Sequence, residues 1–185
     1  WIVKNLVCTL FLVVGGLNIY AQKDKYLIEA EAFQFKGKWS TDRSADCMGS
    51  AMLRLNGGGS LDEQFDALTV VNIMEEGDYN VWVRSADYDK LPGTRLFRLS
   101  VDEKPMKESG KHGKVGFYWE NAGCVQLAKK QVLLRLHDTK RNFGRCDAIL
   151  LVKDHSINPN EMDRKEVGKW RKNPVKIETK GSGFD

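Results

Sequence analysis

From residue 25 onward the chain repeats one device: a short run in which apolar and polar side chains alternate, closed by a turn signal. Tyr26 to Ala32 sets Ile28, Ala30 and Ala32 against Leu27, Glu29 and Glu31, and Phe97, Leu99 and Val101 alternate with Arg98, Ser100 and Asp102. A period of two puts each set on its own face of an extended chain, so these runs predict half-buried strands. The same reading predicts strands at 51–55, 60–65, 67–74, 79–86, 115–119, 124–127, 131–136 and 146–152. Between them stand Asn56-Gly57-Gly58-Gly59, Glu76-Gly77-Asp78, Leu91-Pro92-Gly93, Asp102-Glu103-Lys104-Pro105 and Ser109-Gly110-Lys111-His112-Gly113, all turn-forming sequences. About ten short strands with no helical pattern between them predict an all-β fold, an antiparallel sandwich or barrel.

The ends read differently. Lys4, the apolar run Leu6 to Leu17 and the small residue Ala21 are ordered as in a secretory signal, predicted over 1–21. The run is shorter than the ~20 apolar residues of a spanning helix, which favours a removable signal over the alternative of an N-terminal anchor helix, and no membrane association is expected once the signal is removed. Trp1 in the place of Met reads as a truncated or mistranslated start. Near the other end, Asn158-Pro159 opens a short helix toward Lys169, Asn173-Pro174 stops it, and Gly181-Ser182-Gly183 lies in an expected linker to a further domain. The organisation expected is a signal at 1–21, a sandwich at 22–155, and a short helix and linker at 156–185.

With 185 residues, 42% of them hydrophobic, the chain has room for one real core and not for two sizeable domains. Its formal charge of +4 is spread among mixed signs, which makes no nucleic-acid groove. The basic stretch from Lys129 to Arg145 reads as a solvated edge. Export permits disulfides, but Cys47, Cys124 and Cys146 are odd in number: one bridge with a free thiol and three buried thiols both fit. No catalytic constellation is present. His112, His137 and His155 are scattered, His137 and Asp138 are strand neighbours facing opposite ways, and no helix follows the Gly-rich turn to hold a phosphate. No catalytic cofactor is expected. Glu29 and Glu31, two apart on a strand, share a face and require a cation, a basic partner or solvent. They leave no cleft between them for glycosidase chemistry.

Four segments in order carry a resemblance: Ile28-Glu29-Ala30-Glu31-Ala32, Gly77-Asp78-Tyr79-Asn80-Val81-Trp82-Val83-Arg84, Phe97-Arg98-Leu99-Ser100-Val101-Asp102, and Arg145-Cys146-Asp147-Ala148-Ile149-Leu150-Leu151. Over about residues 26 to 153 the chain resembles the family 6 and family 35 carbohydrate-binding modules, β-sandwich jelly rolls that accompany secreted polysaccharide-degrading enzymes. The resemblance implies a structural calcium on Glu29, Glu31 and Asp147, and a ligand-binding Asn in the loop before the last strand, here Asn142.

Sugar recognition needs flat apolar faces and planar polar groups, which makes the loop aromatics Trp39, Tyr88 and Trp119 the candidates beside Asn142. Trp82, in mid-strand, is expected to be buried against the second sheet or the C-terminal segment. Arg84, Arg95, Arg98 and Arg141 suit either the carboxylate of an acidic sugar or cross-strand Asp and Glu partners. The function expected is a non-catalytic accessory module, secreted or periplasmic, that binds a polysaccharide or glycan at the sandwich edge. The alternatives are the leading domain of a larger secreted enzyme (a flavin-dependent oxidoreductase, a glycoside hydrolase or a polysaccharide lyase, with its catalytic domain C-terminal in the same chain) and a purely structural packing module.

Overall fold

A computed structural model describes residues 23–57, 61–140 and 143–177. The signal at 1–21, Asn142 and the Gly-Ser linker lie outside the described residues. Among the described residues ten strands form: β1 (Lys25–Glu29), β2 (Ser40–Arg43), β3 (Ala51–Arg54), β4 (Ala67–Asn72), β5 (Gly77–Ala86), β6 (Phe97–Val101), β7 (Lys104–Ser109), β8 (Phe117–Leu127), β9 (Gln131–His137) and β10 (Arg145–Val152). One α-helix follows, α1 (Arg164–Gly168). Among the described residues no helix is long and apolar enough to cross a membrane.

The strands pair antiparallel in two layers. One sheet runs β2-β3-β10-β5-β8, with β1 also on β10, and the other runs β4-β9-β6-β7. Alternation explains the layers. In β6 Phe97, Leu99 and Val101 are fully buried, and from the opposite sheet Tyr79, Val81, Val83, Ile149 and Leu151 meet them. Each large side chain withdrawn from water contributes about 1.5–3 kcal/mol. The all-β sandwich read from periodicity is the fold observed.

Several local readings change. Glu31 is not on a strand: β1 ends at Glu29 and Ala30–Ala32 form a 3-10 turn. Where 60–65 reads as a strand, Asp62 caps a 3-10 turn at Glu63–Phe65 by accepting from the Gln64 N–H. The runs at 115–119 and 124–127 belong to the single strand β8, bulged where it passes β5 between Val81 and Trp82. Strands β2 and β7, both rich in polar residues, carry too little apolar alternation to be read from sequence.

The burial of β10 shows what lies outside the sandwich. Ile149 and Leu151 face the core, yet Ala148, Leu150 and Val152 on the other face are buried too. They are covered by Val167 of α1, with Ile157, Met162 and Trp170. Backbone bonds fasten this segment: Leu27 N–H donates to the Trp170 carbonyl (2.9 Å) and Lys172 N–H to the Leu27 carbonyl (2.8 Å). Trp82 and Trp119 lie in this outer cluster, so the C-terminal segment is the cover expected for Trp82.

Candidate functional site

At one end of the sandwich β5 runs out into a loop built on Asp87. This buried carboxylate accepts from the N–H groups of Tyr88 (2.7 Å), Gly93 (3.2 Å) and Gly113 (2.8 Å), tying two loops together. Tyr88 is thereby held outward, 40% exposed, with the Arg95 guanidinium 5.7 Å from its ring centre. Arg95 in turn donates to the Asp87 carbonyl at 2.8 Å. From the loop before β10, Phe143 presents a ring 45% exposed. It lies so close to Gly57 that a Cβ there would come within 2.5 Å of the ring, which only glycine permits. Tyr88, Thr94, Arg95, Phe143 and Arg145 line a groove of about 260 Å³. Burial first, and then the neighbouring charges of Arg95 and Arg54, lower the pKa of Arg145, while Asp42 opposes the shift.

The expected ligand residues separate here. Tyr88 is at the groove, and Asn142 lies outside the described residues, beside Phe143 in the chain. Trp39 is not a loop platform. It is 4% exposed, packed edge-on to Phe97 with ring centres 5.6 Å apart, in the core between the sheets. Trp119 is also buried, at 6%, under the C-terminal segment, where its backbone exchanges hydrogen bonds with the Asn160 side chain (3.0 and 2.9 Å). The partners that cover both indoles are distant in sequence. Phe143 and Arg145 carried a signal that was passed over, an aromatic and a cation flanking a glycine beside Asn142. Of the arginines read as carboxylate grips, Arg95 reaches the groove, Arg84 and Arg98 pair with Asp147 and Glu108, and Arg141 lies outside the described residues.

Glu29, Glu31 and Asp147 gather around the loop 45–51. Asp147 is completely buried. It accepts from Met48 N–H at 3.1 Å and pairs with the Arg84 guanidinium. Glu29 accepts from Arg171 Nε at 2.6 Å. Glu31 Oε1 takes Ser50 N–H (2.7 Å), Ser50 Oγ–H (3.1 Å) and Ala51 N–H (3.2 Å), which leaves Oε2 buried without a partner. Four successive loop carbonyls also accept from arginine: Ala45 and Cys47 from Arg164, Asp46 from Arg84, Met48 from Arg171. Calcium takes six to eight oxygen ligands turned toward one point. The oxygens named here accept from N–H and O–H groups of the chain, Glu31 Oε2 excepted. Cys47, Cys124 and Cys146 are unpaired thiols, the first and third buried, and burial with the adjacent Asp147 pushes the Cys47 thiol up to about 12.

The two antiparallel sheets have the fold of the family 35 and family 6 carbohydrate-binding modules. A family 35 module from Clostridium thermocellum superposes with a TM-score of 0.55 at 18% identity, over 68% of this chain and 97% of that one. The C-terminal CBM6 of a laminarinase from Zobellia galactanivorans gives 0.54 at 15%, over 70% and 100%. A Podospora anserina GH26-CBM35 β-(1,4)-mannanase gives 0.57 at 17% identity over 75% of this chain, which spans 30% of that longer protein. No protein-family model and no curated protein matches the sequence.

Proposed function

We propose that this chain is a non-catalytic glycan-binding module of an exported protein, and that the groove of Tyr88, Thr94, Arg95, Phe143 and Arg145 is its binding site. The observation that carries the reading is the convergence of two exposed rings and two guanidiniums at the loop end, on a fold whose solved examples include carbohydrate-binding modules. The rings stack on the CH face of a pyranose, and the guanidiniums donate planar pairs of hydrogen bonds. Two guanidiniums in one groove, Arg95 and Arg145, favour a sugar carrying a carboxylate. The mannanase, in which such a module is part of a longer chain, supports an accessory role beside a catalytic domain.

Affinity electrophoresis against pectate and alginate, with mannan and laminarin as neutral controls, tests this. The acidic polymers should retard the protein, and Tyr88→Ala or Phe143→Ala should abolish the retardation with the melting temperature unchanged. Retardation that survives both substitutions overturns the site, and none with any polymer leaves the packing-module reading.

We infer that Arg84, Arg164 and Arg171 hold the oxygens that a calcium would hold in the resembled modules. The buried Glu31 Oε2 is the atom in favour of an ion, and melting with added calcium separates the two readings.

A further inference from the structure

At the opposite end of the molecule from the groove, three side chains of different chemistry meet on the outer face of the larger sheet. Asp78 opens β5, Cys124 lies on β8, and His155 follows β10. The register brings them together: Asn80 pairs with Cys124 and also with Val152, and Asp78 is two residues before Asn80, on the same face. The bulge in β8, with Gly123 at φ 117°, precedes the exposed Cys124. His155 sits in a tight turn fixed by Ser156, whose N–H donates to Asp154 Oδ1 at 2.9 Å.

One ligand atom from each residue, a thiol sulfur, an imidazole nitrogen and a carboxylate oxygen, lies within 4.8 Å of the other two. Among the described residues no other three such groups converge in this way. His155 Nε2 is 3.5 Å from Asp78 Oδ2, and Cys124 Sγ is 2.9 Å from the amide oxygen of Asn80. Tetrahedral zinc, with bonds of about 2.0–2.3 Å, sets its ligands roughly 3.3–3.8 Å apart, so small side-chain rotations suffice.

We propose that Asp78, Cys124 and His155 form a surface site for a divalent transition-metal ion of the zinc type, with Asn80 Oδ1 or water as fourth ligand. The mixed sulfur, nitrogen and oxygen donors suit such an ion and not calcium, which takes oxygen alone. Binding releases the Cys124 thiol proton to solvent, and the ion links β5 and β8 to the segment after β10. Two lysines approach, Lys104 with Nζ 3.3 Å from the Cys124 carbonyl and Lys153 beside Gly77, the latter paired with Glu75. Their charge sets the affinity below that of an all-thiolate structural site.

Titration of the reduced full chain with cobalt(II) chloride tests the proposal. The expected result is a saturable sulfur-to-cobalt charge-transfer band that zinc chloride displaces. Cys124→Ser should remove the band, and His155→Ala and Asp78→Asn should each weaken binding by at least the ~10-fold that loss of an outer-shell partner costs. All three positions are exposed, so circular dichroism should show each variant folded. Absence of the band in the wild type, or a band unchanged in Cys124→Ser, overturns the site. Neither result bears on glycan binding at the distant groove.

Discussion

Asp147 is the residue with most at stake. It is fully buried on the last strand, and burial raises its pKa while Arg84 and the Met48 N–H oppose the rise. A carboxyl whose native pKa lies above its unfolded value binds its proton more tightly when folded, so stability is lost as pH rises through the native pKa. Arg84→Met removes the main opposing cation and raises that pKa further. The expected cost is about 3–5 kcal/mol for stranding a buried charge, with Arg84 itself largely covered. Urea melts should find this cost larger at about pH 8 than at about pH 5, because protonation relieves it; equal costs at the two pH values would refute the account. At this scale the sequence was informative in part. Tyr88, between Asp87 and Asp89, stands exposed, whereas Trp39, in equally polar company, is buried. The difference is Phe97, more than fifty residues away in the chain, whose ring covers the Trp39 indole.

Among the elements, the hairpin of β6 and β7 shows how little sequence a strand needs when its turn is right. Asp102 and Glu103 join the strands, both at positive φ, 51° and 65°. Two-residue turns of this hand match the twist of a hairpin, but they suit Asn-Gly far better than Asp-Glu. Replacing Glu103 by Gly should therefore stabilise the domain by about 0.5–1 kcal/mol, the relief of a left-handed residue less the entropy of glycine. The ion pair sacrificed, Arg135 to a Glu103 that is 70% exposed, is a long one at 3.7 Å. A chemical-denaturation midpoint that falls in Glu103→Gly would show that this contact outweighs the strain. Turn chemistry here was legible as a reversal, and β7 was missed because its outward positions, Lys104, Lys107 and Glu108, hide a strand whose inward anchor is Met106.

For the whole molecule, the C-terminal segment completes the sandwich. It covers the outer face of β10 with Val167 and Trp170 and supplies Arg164 and Arg171 to the loop 45–51. If these guanidiniums take the place of a metal, calcium chloride added to metal-free protein should leave the melting temperature unchanged. An ion bound only by the native state would add ~2.7 kcal/mol at a hundredfold excess over its Kd, a rise that calorimetry would detect and that would reinstate calcium on Glu29, Glu31 and Asp147. Alternation and turn residues by themselves determined that the chain forms a β-sandwich, because side-chain period and chain reversal are local properties. Which aromatic stays exposed, which cation faces Glu29 and Asp147, and which thiol stands beside a histidine were decided only by the tertiary structure. Each depends on residues that strand pairing and the C-terminal strap bring together across large separations in sequence, and no local pattern records those encounters.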